Sequence, residues 1–522
     1  MKLRVLTISL LMPLFAAAQK PTSKGIACLL DSTRYAVETS ATFSDGSFAP
    51  FWLASNRHGL SSLEPNSAYL RAGIFRSYEA DSLRKWKVGY GIDLVVSHNH
   101  TADFFIQQLY ADFRFKHTVL TVGAKEWPME LKNNQLSSGS QTFGINAHPI
   151  PQLRLSTDGY STIPYTRKWL HFKGYIAYGA FTDDIWQHRF THKQSRYADQ
   201  VLYHGKAGYL LIDHPERDNP LSAELGLEMA TQFGGTTHRP NAQGVMAGTP
   251  NSRGFEAFWH ALIPGGSDPN EESYNYSNME GNHVGSWVAR INYDQPAWRL
   301  SLYIDHFFED HSGMFLLDFD GYGQGDAWNK RIRKRYMMYQ LKDNMLGAEL
   351  VFKRGTWVRN ILCEYLYTKY QSGPIYHDHT QNISDHVGGV DNYYNHLFFP
   401  GWQHWGMVAG NPLYRSPLYN RDGLLCVENN RFIAYHFGLS GAPCPAVSYR
   451  ILATWQEGWG SYDLPFRQRE TQTSLLAEAL IRPQTPSLAG WSLQVGFGLD
   501  RGKIVGNNLG ASLTLRKTGI IR

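Results

Sequence analysis

The sequence predicts an all-β fold, a transmembrane antiparallel β-barrel, on three observations. Many short stretches alternate apolar and polar residues one for one, aromatic side chains stand at the ends of those stretches, and the chain opens with the layout of an export signal. Successive strand side chains point to opposite faces, so this alternation makes one hydrocarbon face and one small or polar face. A soluble β-sandwich shares the alternation. The aromatic ends favour the barrel, because Trp and Tyr gather at the two membrane interfaces while the inner wall of a large barrel accepts polar groups.

Residues 1–18 carry Lys2 and Arg4, an apolar run over 5–15 and then Ala16-Ala17-Ala18, which reads as a cleavable signal peptide. The run is too short for a transmembrane anchor. Residues 19–522 read as a single barrel domain, since no long Pro- or Ser-rich linker divides them. A first strand is expected at Tyr35, Val37, Thr39, Ala41 and Phe43. Over about 44–66, which holds Pro50, Phe51, Trp52, Asn56, Arg57 and Gly59, alternation lapses, so a loop or short helices against the inside or the periplasmic end are expected. Alternation is clearest at Trp86, Val88, Tyr90, Ile92, Leu94 and Val96, set against Lys87, Gly89, Gly91 and Asp93, and again at Trp491, Leu493, Val495, Phe497 and Leu499. It recurs over 109–115, 120–124, 223–229, 287–293, 298–304, 346–352 and 509–515, often enough with polar partners to imply a wet lumen. Long segments near 251–285, 371–411 and 420–431, rich in Gly, Asn, His and aromatic residues, read as surface loops.

Composition excludes other classes. Removing the signal takes the 50 basic residues to 48 against 45 acidic ones, a net charge of +3, too balanced for a nucleic-acid binder. The basic cluster Lys330, Arg331, Arg333, Lys334 and Arg335 reads as a solvated turn, or as a patch for acidic saccharide or lipopolysaccharide phosphate. A mean hydropathy of -0.38 suits a barrel in which only alternate residues face lipid. About 500 mature residues accommodate an even count near 16 to 20 strands, at roughly 9–11 residues per crossing.

The four cysteines form no CxxC pair. Cys426 and Cys444 could close a loop, Cys363 falls in phase with lipid-facing Ile361 and Tyr365, and Cys28 is too far from the apolar run to be a lipoprotein anchor. The pairs His98 and His100, and His377 and His379, lack a third ligand, and the acidic group Asp305, Glu309 and Asp310 beside His306 and His311 lacks a calcium-loop spacing. No metal or cofactor is therefore assigned. Ser312 beside His311 and Asp310 makes no triad by adjacency, and GxSxG, HExxH and P-loop motifs are missing, so the chain reads as a non-enzyme.

The strings Phe48-Ala49-Pro50-Phe51-Trp52-Leu53-Ala54-Ser55-Asn56-Arg57-His58-Gly59-Leu60 and Gly281-Asn282-His283-Val284-Gly285-Ser286-Trp287 resemble the Wzi family of capsule-assembly proteins. So do Glu364-Tyr365-Leu366-Tyr367-Thr368 with Gln371-Ser372-Gly373, Asp391-Asn392-Tyr393-Tyr394-Asn395-His396, and Gly401-Trp402 with Gly410-Asn411-Pro412-Leu413. The resemblance implies a barrel of about 18 strands in the outer membrane of a Gram-negative bacterium, with a small helical portion near its N-terminus. It implies non-covalent binding of capsular or other surface polysaccharide, contact with outer-membrane lipid and lipopolysaccharide, and work beside the capsule export machinery. The end of the chain, Gly519-Ile520-Ile521-Arg522, departs from the barrel pattern in lacking a terminal aromatic residue, which leaves the register of the last strand open.

Sugars offer C–H faces to flat rings and hydroxyls to amides, carboxylates and imidazoles. The stretch from Asp391 to Trp405 interleaves both kinds: Tyr393, Tyr394, Trp402 and Trp405 for stacking, Asp391, Asn392, Asn395, Gln403 and His404 for hydrogen bonds. An aromatic girdle at the membrane interface has the same composition. If the stretch is an outer binding loop, replacing Trp402 and Trp405 with Ala weakens polymer retention and spares the barrel. A diffusion porin or specific uptake channel is the other reading, with Lys87, Asp93, Arg114, Glu224, Glu228 and Arg290 as pore lining and the segment from Ser47 to Glu64 plugging the lumen or sitting beneath it.

Overall fold

The computed structural model describes residues 32–521 apart from 82–83, 215–218, 265–279, 311–316, 323–324, 329, 338–340 and 378–385. The signal peptide, Cys28, His379 and the His311-Ser312 pair lie outside the described residues, and so do the side chains of His377 and most of the 330–335 basic cluster.

Eighteen antiparallel strands close into a barrel. They are β1 (Arg34–Gly46), β2 (Asn66–Arg76), β3 (Trp86–His98), β4 (Phe104–Phe115), β5 (Thr118–Ala124), β6 (Gln152–Thr157), β7 (Leu170–Ala180), β8 (Leu202–Ile212) and β9 (Leu221–Phe233). Then follow β10 (Asn282–Asp294), β11 (Trp298–Glu309), β12 (Asn344–Phe352), β13 (Asn360–Tyr367), β14 (Phe432–Cys444), β15 (Val447–Gly460), β16 (Pro465–Ile481), β17 (Trp491–Gly502) and β18 (Asn508–Ile520). Each strand pairs with the next. The last pairs with the first along its whole length, from Arg34 opposite Ile520 to Gly46 opposite Asn508, so the missing terminal aromatic costs the seam no register.

Strand parity follows the sequence. In β3, Trp86, Ile92, Leu94 and Val96 are exposed on the outer wall while Lys87 and Asp93 are buried on the inner one. The turns over 116–117, 295–297 and 445–446 lie at the same end as the start of β1 and the end of β18, and the insertions over 47–65, 125–151, 181–201, 234–281, 310–343 and 368–431 all leave from the other end. In outer-membrane barrels the short-turn end is periplasmic and the long-loop end extracellular.

The extracellular part of the lumen is filled with protein. Three extracellular insertions, 47–65, 125–151 and 368–431, fold down into it and make one large buried cluster with inward-facing wall residues and with Phe181, Ala198 and Val201 of the 181–201 insertion; Trp52, Leu136, Tyr393, Tyr394, Phe398, Phe399, Trp402 and Tyr414 are each no more than 1% exposed. The 44–66 region therefore enters from the extracellular end and lies inside the barrel, the first of its two expected placements, and contains a single helical turn, α1 (Phe51–Ala54); a second helix, α2 (Asp184–Phe190), belongs to the 181–201 insertion. The 44–66 chain is pinned at several depths: the Phe51 N–H donates to Asp500 (2.8 Å), the Trp52 indole to Thr454 (3.0 Å), and Arg57 reaches Glu478 (2.6 Å). The expected surface loops 371–411 and 420–431 are likewise largely internal from residue 391 onward, because their aromatic side chains find hydrocarbon in the lumen and their amides find partners there.

The expected pore-lining charges do face inward, and each has a partner. Asp93 binds Arg71 (2.5 Å), Arg114 binds Asp158 (2.5 Å), Lys87 binds Glu79 (3.1 Å) and Arg290 binds Glu349 (2.6 Å), while Glu224 accepts from Tyr160 (2.6 Å) and Glu228 from Tyr209 (2.8 Å). Asp305 of the supposed calcium group is taken by Lys132 (2.6 Å). Cys363, Cys426 and Cys444 are free thiols. Cys426 sits in an extracellular insertion and Cys444 at the periplasmic end of β14, so the height of the barrel separates the pair expected to close a loop.

Candidate saccharide-binding surface

The strings that resemble the capsule-assembly family meet where the plug is fixed to the wall. Glu364 accepts from the Ser137 hydroxyl (2.6 Å), the Ser138 N–H (2.8 Å) and the Tyr303 hydroxyl (2.5 Å). Asn411 donates to the Gly139 carbonyl (2.9 Å), Asn56 to the Ser138 carbonyl (2.9 Å), and Trp402 Nε1 to the Thr142 carbonyl (2.9 Å). The Tyr394 hydroxyl donates to the Gln141 carbonyl, 253 residues away in sequence. Gly410 must be glycine here, since a Cβ would collide with that same hydroxyl and carbonyl.

Tyr393, Tyr394, Trp402, Gln403 and His404 are therefore scaffold: each is at most 1% exposed, and no saccharide reaches their rings. Gln403 donates to Asp183 (3.1 Å) and His404 Nδ1 contacts the His148 carbonyl (2.9 Å). Trp405 is half-buried, its ring centroid 5.6 Å from that of His148. Only Asp391, Asn392 and Asn395 of the expected site stand with Trp405 at partial exposure. The cause is physical: burying Tyr or Trp requires a polar partner for the hydroxyl or indole N–H, so a satisfied core is written in the same residues as a sugar platform.

Asn392 leads to the surface that remains open. Its side-chain amide donates to Asp463 (2.5 Å), and it accepts from Asn395 (2.8 Å) and Asn430 (2.5 Å). Beside it, three cations stand over three rings at the extracellular rim: Lys342 over Tyr370 (5.0 Å to the centroid), Lys369 over Trp459 (4.1 Å) and Arg431 over Tyr462 (3.7 Å). The Tyr462 hydroxyl donates to the Tyr370 carbonyl (3.1 Å) and Arg431 Nε to the Lys369 carbonyl (3.2 Å), which fixes the group. Beneath it, Asp343 accepts from the N–H groups of Tyr370 (3.0 Å) and Gln371 (2.6 Å). Burial pushes the Asp343 carboxyl up to about 6 against the pull of those donors. Rings, amides and cations at one rim suit a polyhydroxylated, acidic ligand. Sequence reading missed these residues because they come from four separate segments; Trp459 at the outer end of β15 was the one local signal.

At the periplasmic end the barrel opens into a cavity of about 800 Å³ lined by Arg57, Arg71, Glu126, Arg450, Glu478 and Arg516 among others. Above it four imidazoles from four segments, His58, His100, His148 and His404, meet at the plug. Burial lowers all of them, His100 to about 4 and His148 well below the usual range, where the other three also oppose its charge. A loosened plug thus binds more protons than a seated one between about pH 6.5 and 4, so the stability these groups contribute is present above that window and is lost as pH falls through it. Protease cleavage within 125–151 is expected to rise on acidification across that range, and an unchanged cleavage rate from pH 7 to 4 would contradict this.

No protein-family model matches the sequence, and no curated protein matches it. Among solved structures the chain is similar to Wzi of Escherichia coli, described as an outer-membrane protein involved in group 1 capsule assembly and a carbohydrate-binding β-barrel, at 12% identity and a TM-score of 0.54, covering 95% of this chain and 89% of that one. It is also similar to OprD of Pseudomonas aeruginosa (10% identity, TM-score 0.44, 94% and 95% covered) and to OccAB4 of Acinetobacter baumannii (9%, 0.43, 94% and 99%). The first of these likenesses shows a shared fold, that of an outer-membrane β-barrel of Gram-negative bacteria.

Proposed function

We propose that this barrel binds capsular or another surface polysaccharide non-covalently at its extracellular rim and helps hold it on the cell, as a binder and not a catalyst. The observation that carries the reading is the obstructed extracellular part of the lumen: with three insertions locked to the inner wall, the barrel presents a surface at that end. The family-resembling strings and the fold shared with a carbohydrate-binding barrel support it. In this reading Lys342, Lys369, Arg431, Tyr370, Trp459 and Tyr462 meet the polymer with Asp391, Asn392 and Asn395, and the buried aromatic residues hold that rim in place. Lipopolysaccharide surrounds the site, and the export machinery delivers the polymer to it.

Replacing Lys369, Trp459 and Tyr462 together with Ala is expected to weaken binding of capsular polysaccharide from the same strain about tenfold, about 1.4 kcal/mol, measured by titration calorimetry on the detergent-purified barrel. Unchanged affinity in a correctly folded variant moves the site elsewhere. The periplasmic cavity favours a second reading, a gated uptake channel for acidic solutes. Steady single-channel openings of the wild-type protein in a planar bilayer would favour it over the first.

A further inference from the structure

The insertion between β9 and β10 carries a second device, on the outside of the barrel. Its helix, α3 (Phe255–Leu262), packs against β8 and β9 with its small residues: Ala257 and Ala261 are buried, while Phe255 is 84% exposed, Trp259 50% and Ile263 51%. A helix folding against protein in water turns its large apolar residues inward. This one is inside out.

The wall beneath it is inverted too. Ile176 of β7 is exposed on the outer face, and register places Lys206 opposite Ile176 and His204 opposite Tyr178, so both point outward, as do Thr231 and His283 in the next two strands. Polar and charged groups on the lipid-facing wall of a barrel are destabilising. Here α3 covers them. The Lys206 ammonium donates to the terminal helix carbonyls of Ala261 (3.1 Å) and Leu262, Thr231 donates to Ala261 (3.4 Å), and the Tyr178 hydroxyl donates to the Phe258 carbonyl (2.8 Å). A lysine at a helix C-terminus satisfies carbonyls that have no partner within the helix. The outer residues of α3 then continue the apolar belt formed by Ile176, Leu225 and Ile291.

We propose that α3 is a lipid-seated helix strapped to the outer wall at the extracellular half of the barrel, with Phe255, Phe258, Trp259 and Ile263 in contact with the acyl chains of the outer leaflet. The chain about Phe255–Ile263 is thereby held at the membrane surface. The proposal is independent of what the rim binds.

It is tested by nitroxide labels at Phe255→Cys or Trp259→Cys in a background carrying Cys28→Ala, Cys363→Ala, Cys426→Ala and Cys444→Ala, with the full chain reconstituted in phospholipid vesicles. Reference labels stand at Ile176→Cys on the lipid-facing wall and at Arg421→Cys, an exposed side chain beside Ser47 at the extracellular end. Power saturation compares access of oxygen, which partitions into hydrocarbon, with that of a water-soluble nickel chelate, and heat-modifiable gel mobility confirms folding of each variant. Both helix labels are expected to match the 176 label, with oxygen access high and nickel access low. Labels that match the 421 label place the helix in water and overturn the proposal. Labels shielded from both reagents, with spin–spin broadening at full labelling, identify the cover as a second copy of the chain and overturn it as well.

Discussion

Replacing Lys132 with Met is expected to unseat the plug. The Lys132 ammonium is buried in the lumen, 2.6 Å from the fully buried Asp305 carboxylate, which also accepts from the Gln141 N–H (3.1 Å). Removing one partner of a buried pair leaves the other charge uncompensated, at a cost of about 3–5 kcal/mol. That loss falls on the junction between the 125–151 insertion and β11, so the variant should show current steps in a planar bilayer that the wild type lacks. Removing both charges with Lys132→Met and Asp305→Leu should restore much of the stability, since an apolar pair of similar size is often neutral or stabilising. A Lys132→Met barrel as silent and as stable as the wild type would mean that the insertion is held by other contacts.

Trp402→Ala should cost nearly as much. The indole is 1% exposed, packs near Phe181 and Tyr203, and donates to the Thr142 carbonyl. Truncating a buried Trp costs about 3–5 kcal/mol through lost burial and the cavity left behind. The expected readout is a lower midpoint of urea unfolding in lipid vesicles, with any loss of polymer binding following from a disordered rim. Trp405→Ala, at a half-buried position, should shift the midpoint far less. Equal small shifts for both would contradict the burial difference between them. The expectation that both tryptophans could be removed without harm to the barrel does not survive, because it treated the loop as external.

The barrel was legible in the sequence because its signal is local. Trp86, Ile92, Leu94 and Val96 declare their face by parity alone, and the same rule holds for Leu493 to Leu499 in β17. Of the plug only the 44–66 region was legible, as a lapse in alternation; the 125–151 and 368–431 insertions were not, because their contacts join distant segments: Lys132 with Asp305, Tyr394 with Gln141, Asn56 with Ser138. A polar inner wall reads the same in sequence whether water or a folded insertion meets it. Within the expected site, the partly exposed residues (Asp391, Asn392 and Asn395) and the buried ones (Tyr393, Tyr394 and Trp402) are interspersed with neither strand nor helix spacing, so no periodicity separates them. The helix on the outer wall hid for another reason, since large apolar residues at helical spacing ordinarily announce a core.

Polymer retention on whole cells decides between a surface binder and a channel. Cells with and without the protein are compared for cell-bound polysaccharide and polysaccharide shed into the medium. A surface binder predicts unchanged total polymer with a shift from cell to medium on deletion, reversed by the wild-type gene and not by the Lys369, Trp459 and Tyr462 triple variant. An unaltered distribution in the deleted strain would contradict polysaccharide binding at the rim.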